Sequence, residues 1–150
     1  MRKKGVLLAL LCALAGGAVP APLSITPGPQ LSFGRFVAGT GGSVTVGPTG
    51  ARASAGGVVL VPPGGSAATF TVQGDAALTY SIGLPADGVV SLSGPGGSMG
   101  VNLFVSVPAA AGVLGGIGAQ TLTVGATLSV GNNQAPGPYS GNFTVTVNYN

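Results

Sequence analysis

The feature that most limits what this chain can fold into is a period of two, repeated in short runs and cut each time by glycine or proline. Leu122, Val124, Ala126, Leu128 and Val130 alternate with smaller or polar neighbours. So do Val101, Leu103, Val105 and Val107, and Leu78, Tyr80, Ile82 and Leu84. The last stretch is the clearest. From Tyr139 onward every odd position except Gly141 is aromatic or β-branched apolar, as in Phe143, Val145, Val147 and Tyr149, and every even position is small or polar. Side chains on a strand point to opposite faces in turn, so this pattern builds strands with one dry and one wet face. Beyond the first 20 residues no window of ten or more carries helical periodicity.

The punctuation agrees. The chain holds 29 glycines and 12 prolines in 150 residues. Disordered chains share that richness, but they are poor in β-branched residues and carry high net charge. This one is rich in Val, Thr and Leu, so its glycines read as turns and bulges between strands. Pro62-Pro63-Gly64-Gly65, Pro85-Ala86-Asp87-Gly88 and Gly94-Pro95-Gly96-Gly97 are the strongest turn signals. The spacing predicts eight to ten short strands, an all-β sandwich of immunoglobulin-like or pilin-like type. The predicted core includes Phe33, Val59, Phe70, Val72, Tyr80, Ile82, Leu103, Val105, Leu122, Val124, Leu128, Phe143, Val145 and Val147.

Three segments are expected. Met1-Arg2-Lys3-Lys4, the apolar run Val6 to Leu14 and the small residues after it read as a signal peptide over 1–18. Cleavage after Ala18 is favoured over Ala21, because Pro22 follows the second site. Residues 19–30 are a Pro-rich lead-in, and 31–150 form the sandwich domain. The chain is therefore expected in the periplasm, on the cell surface or outside the cell, with no membrane span once matured. The only cysteine, Cys12, lies inside the leader, so no disulfide is expected.

Composition also excludes chemistry. Removing the leader takes away Arg2, Lys3 and Lys4 and leaves Arg35 and Arg52 against Asp75 and Asp87, a net charge of zero. Two scattered arginines cannot track a phosphate backbone, so no nucleic-acid partner is expected. The rest of the chain has no His, Cys, Glu or Trp. That removes imidazole bases, thiol nucleophiles and the usual zinc ligands. Asp75 and Asp87 each sit beside a glycine and read as turn residues. No catalytic, cofactor-binding or metal-binding residue is expected, and the chain does not read as an enzyme.

Leu31-Ser32-Phe33-Gly34-Arg35-Phe36-Val37-Ala38-Gly39, Thr121 to Leu128 and Gly137 to Tyr149 resemble the opening and closing motifs of a family of bacterial exported domains, domain of unknown function family 4402. The closing segment is also similar to the last strand of chaperone–usher pilin subunits and of spore-coat U-type domains. Its points of likeness are a penultimate tyrosine, here Tyr149, and a glycine fourteen residues from the end, here Gly137. The pilin resemblance implies pairing by strand addition, with another copy or with a periplasmic chaperone. It implies that Gly137, Tyr139, Phe143, Val145, Val147 and Tyr149 form the assembly strand. The expected function is that of a non-catalytic, fimbria-like surface subunit associating through its edge strands. The alternative is a monomeric exported module that binds a glycan or another surface ligand.

Overall fold

The structure, a computed structural model, describes residues 21–150. The leader expected over 1–18 lies outside the described residues. Among the described residues there are twelve strands and no helix. The strands are β1 (Ser24–Pro27), β2 (Arg35–Val37), β3 (Gly42–Val46), β4 (Arg52–Gly56), β5 (Val59–Val61), β6 (Ala68–Gln73), β7 (Thr79–Gly83), β8 (Val90–Gly94), β9 (Gly97–Val107), β10 (Ala111–Val113), β11 (Ala119–Val130) and β12 (Thr146–Tyr149). The fold is all-β, as the alternation predicts. The count exceeds eight to ten partly because the lead-in supplies a strand: β1 pairs antiparallel with β6, Ile25 opposite Val72.

β11 organises the larger, seven-stranded sheet. Ala119 to Val124 pair with β6, Ala126 to Val130 with β3, and Thr123 to Leu128 with β9 across the other edge. β1 extends the sheet beyond β6, β4 beyond β3, and β8 beyond β9. At the hand-over from β6 to β3 stands Gly125. A Cβ there would lie 2.1 Å from the Val46 carbonyl oxygen, so only glycine lets the backbones approach. A second sheet runs β10-β7-β12, and β2 pairs with β5 alone.

The core has two lobes, joined along β11. Leu128 and Val130 pack in one with Phe33, Val44, Met99 and Val101. Leu122 and Val124 pack in the other with Val72, Tyr80, Leu114 and Val145. The predicted inward face of β11 is buried throughout, from Leu122 to Val130. Phe33, Val72, Tyr80 and Val145 are buried as expected, and Phe70, Ile82, Phe143 and Val147 are half-buried.

Three predicted core residues are not in the core. Val59 is 58% exposed, and its neighbour Val58 is buried in its place. Leu103 and Val105 are 60% and 46% exposed. Their displacement has one cause. Gly125 pairs with Val105 but Thr127 pairs with Asn102, so β9 contains an extra residue opposite Ala126. Leu103 takes a left-handed conformation there, with φ at 54°. A bulge inverts the alternation that follows it. Met99 and Val101 face inward before the bulge. After it Phe104 and Ser106 do, and Leu103, Val105 and Val107 face solvent.

Candidate functional site

The segment expected to be one long terminal strand is extended, but only part of it is held in a ladder. Ser140 exchanges both backbone hydrogen bonds with Ser93 of β8, at 2.8 and 3.0 Å. Thr146 to Tyr149 then pair with β7, Val147 opposite Ile82 and Tyr149 opposite Tyr80. Between these anchors the chain changes partner, and Gly141 to Val145 make no backbone hydrogen bond among the described residues. The alternation of burial nevertheless continues: Phe143 half-buried, Thr144 exposed, Val145 buried. The side chains are placed as in a strand, and the main chain is left without one.

Direction follows from the anchors. Successive residues of an extended chain turn their amide and carbonyl to opposite sides. Ser140 turns its pair toward β8, and Asn150 donates to the Thr79 carbonyl beside β7 at 3.2 Å. The odd residues from Gly141 to Val147 therefore turn theirs the other way, and Gly141 and Phe143 do so toward a cleft that both line.

That cleft, about 1260 Å³, runs between the segments 27–39 and 133–143. Its floor is apolar, with Phe33, Phe70, Leu92, Met99, Val101 and Leu128. On its far wall Ser32 exchanges both backbone hydrogen bonds with Ser66, at 2.8 Å each. Leu31, next in the alternation, turns its amide and carbonyl to the cleft and makes no backbone hydrogen bond among the described residues. The first and last segments thus form two lips over exposed core.

The lips are open at one end and closed at the other. At the closed end β1 and β12 come within 8 Å of one another between Cα atoms. Leu23, Ile25, Val147 and Tyr149 pack there against the second lobe. The Tyr149 hydroxyl donates to the Ala21 carbonyl at 2.6 Å and accepts from the Asp75 amide at 2.9 Å. An Asp75 carboxylate oxygen accepts from the Ala21 amide at 3.0 Å. Asp75, expected only to make a turn, clasps the start of the described chain to its end.

Each residue of the predicted assembly strand now has a place. Gly137 has φ at 138°, and a Cβ there would meet Pro95 Cγ at 2.6 Å. The Tyr139 hydroxyl donates to the Ala135 carbonyl at 2.7 Å and accepts from the Gly96 amide at 3.0 Å and from Gln134 Nε2 at 3.2 Å. A tyrosine opening a strand and bonding the backbone four residues upstream is the corner device of immunoglobulin-type sandwiches. Tyr139 therefore fixes the turn into the last strand. Phe143 lies where the two lobes meet, edge-on to Phe70 at 6.3 Å between centroids and 5.1 Å from Phe104. Val145, Val147 and Tyr149 line the second lobe on one face. These six share one strand path, and of them Gly137, Tyr139 and Phe143 line the cleft, while Val145, Val147 and Tyr149 lie beyond it toward the closed end.

Electrostatics add little chemistry. Arg52 donates to the carbonyls of Phe33, Arg35 and Val61 at 2.8 to 3.1 Å and ties β2 and β5 to the larger sheet. Asp87 accepts from the Leu103 amide at 2.8 Å and so braces the bulge in β9. Burial pushes the Tyr80 hydroxyl above its ordinary value, and that hydroxyl donates to Gln120 Oε1. No group of three or more His, Cys, Asp or Glu side chains with metal-holding geometry occurs among the described residues. No helix among them is long and apolar enough to cross a membrane.

Sequence reasoning missed the cleft, because no local signal marks two strands that fail to meet. No curated protein and no solved structure matches the chain. A family model does, over residues 23–149, from just ahead of β1 to the penultimate Tyr149, and its description is Domain of unknown function (DUF4402). The chain belongs to that family, and the lead-in strand β1 is part of the family domain.

Proposed function

We propose that this protein is a non-catalytic assembly module, exported from a bacterial cell, whose sandwich accepts a strand from a partner. The observation that carries this reading is the run Gly141 to Val145, which has no backbone partner among the described residues and whose first three residues line an apolar cleft. Unpaired edge groups are templates for strand addition. A strand laid there gains main-chain hydrogen bonds from Gly141 and Phe143, and an apolar floor for its own side chains. Each apolar side chain it buries contributes about 1.5–3 kcal/mol before ordering costs. The absence of charge in the leaderless chain also suits association, since no net repulsion opposes it.

The glycan-binding alternative needs an exposed aromatic platform. Five aromatics line the cleft, and none is an exposed platform: Phe33 is buried, and Phe36, Phe70, Tyr139 and Phe143 are half-buried. This favours assembly over glycan capture. The test is to isolate the native protein from the cell envelope and measure its mass by size exclusion with light scattering, with electron microscopy of the same fractions. Stable complexes or filaments are the expected result. A strictly monomeric protein at all concentrations, with slowly exchanging amides at Phe143 and Val145, would overturn the reading.

A further inference from the structure

We propose that the closed end of the sandwich seats on a lipid bilayer, with Ile117 as the residue that enters it. Two connections build that end, β6 to β7 and β10 to β11, and they are bonded to each other. Gly74 donates to the Gly118 carbonyl at 2.9 Å, Ala77 to Leu114 at 3.0 Å and Leu114 to Leu78 at 2.9 Å. None of the residues 76–78 and 113–119 carries a polar side-chain atom. Ile117 is 92% exposed, more than any other large apolar residue described, with Val113 at 52% and Leu78 at 37%. Ile117 stands in a turn that Gly118 closes by donating to Gly115 at 2.9 Å, so the fold holds it out. Single exposed apolar side chains are ordinary, whereas a cluster with no polar atom among them marks a contact surface.

Shape, charge and tether select lipid as what it meets. The tip is a knob: a Cβ on Gly116 would meet nothing within 4 Å. A stable protein interface takes roughly 20–30 residues a side, well beyond this tip, and a knob needs a matching hole. Lipid closes around any protrusion. No free charge stands at the tip. Of the two arginines among the described residues, Arg35 lines the cleft and Arg52 is spent on carbonyls of the first lobe. The Asp75 carboxylate is spent on the Ala21 amide. The contact is therefore apolar and does not call for anionic lipid.

The tether lies at the same end. Residues 1–20, with the apolar run Val6 to Leu14, join the fold at Ala21. Ala21 is bonded to Asp75, the neighbour of Ala76 in the tip. Leu14 and Ala21 are 21 − 14 = 7 residues apart, roughly 25 Å at full extension. An apolar run held in a bilayer during export brings the closed end nearer the lipid than the open cleft. That step rests on the leader reading and is independent of strand acceptance. Penetration is shallow. The Gly116 and Ile117 amides have no hydrogen-bond partner among the described residues, and such groups do not enter hydrocarbon. The tip stops in the headgroup layer, roughly 5–10 Å deep, with the Ile117 side chain at the acyl boundary.

The chain has no tryptophan, so a single one reports its own site. The experiment takes the full chain as Ile117→Trp, as Val113→Trp and, for a control in the open cleft, as Val37→Trp. Each is mixed with phosphatidylcholine vesicles whose acyl chains carry bromine, a contact quencher. The expected result is at least twofold quenching at 117, weaker quenching at 113 and none at 37, the same at low and high salt. Adding Ile117→Asp to the Val113→Trp chain should remove at least half of its quenching while the leader keeps it on the vesicles. A bound chain with equal quenching at 117 and 37, or none at 117, overturns the inference. So does quenching that needs phosphatidylglycerol and is lost in salt, which makes the contact electrostatic. A blue shift at 117 that grows with protein concentration and no vesicles shows a second copy on the tip and also overturns it. A chain that binds no vesicle removes the inference together with the leader reading. Strand acceptance survives each of these outcomes, because the mass measurement above decides it.

Discussion

Asp87 shows how much a single residue can decide. Beside Gly88 it reads as a turn residue, and it does stand in a turn. Its carboxylate, however, reaches the Leu103 amide sixteen residues away, at 2.8 Å. Gly88 in return donates to the Asn102 side chain at 2.8 Å, so the turn and the bulge hold each other. The contact is solvent-exposed, and one such hydrogen bond contributes about 0.5–1.5 kcal/mol. Asp87→Ala should lower stability by about 1 kcal/mol, read from the urea midpoint. Asp87→Asn, which keeps an acceptor oxygen, should lose less than half of that. Equal losses in the two variants would mean that charge, and not the hydrogen bond, holds the bulge. The turn was legible from Asp-Gly. The bulge was not, because Val101, Leu103, Val105 and Val107 form an unbroken alternation, and nothing local in it announces an extra residue.

At the scale of elements, β11 is the strand the sequence describes best. Its apolar positions from Leu122 to Val130 are all inward, and each half works in a different lobe. Such a strand has neighbours on both edges, so its pattern is enforced by packing along its whole length. Gly125 is the one position where the alternation carries no side chain, and it is where the neighbour changes. Gly125→Ala would drive a Cβ to 2.1 Å from the Val46 carbonyl oxygen and 2.6 Å from Gly47 backbone. Both atoms belong to a paired strand and its turn, so neither yields cheaply. The expected cost is about 3 kcal/mol, at the upper end for overpacking, measured by chemical denaturation. An alanine variant as stable as the parent would show that the β6 to β3 hand-over is loose. The terminal strand is the contrasting case. Its side-chain pattern is as regular as that of β11, yet its ladder breaks between Ser140 and Thr146. Period two reports which face is dry. It does not report whether a neighbouring strand is present.

For the molecule as a whole, stability rests on packing, since no cysteine occurs among the described residues. Tyr80 is fully buried at the centre of the second lobe, with its hydroxyl on Gln120. Burial disfavours the phenolate, so the folded-state pKa lies above the ordinary 10.0. A group raised in this way contributes stability that is fully present below pH 10. That contribution is lost as pH climbs through the folded value, because the unfolded chain releases the proton first. The melting temperature should therefore fall with pH above 10, and the fall should be shallower in Tyr80→Phe. An identical slope in both proteins would place the alkaline sensitivity elsewhere.

The sequence by itself determined the secondary-structure class, the inward face of β11, the turn positions and the lack of His, Cys, Glu and Trp beyond the first 20 residues. Each of these is local: a period, a dipeptide or a count suffices. The tertiary structure alone decided the rest. It turned the lead-in into β1, inverted the second half of β9, assigned Tyr139 to a corner and left Gly141 to Val145 without a ladder. Those outcomes depend on which strands come to lie side by side. Backbone hydrogen bonds between distant segments are blind to side-chain identity, so the sequence carries almost no record of where a pairing is missing. The candidate site of this protein is such a missing pairing.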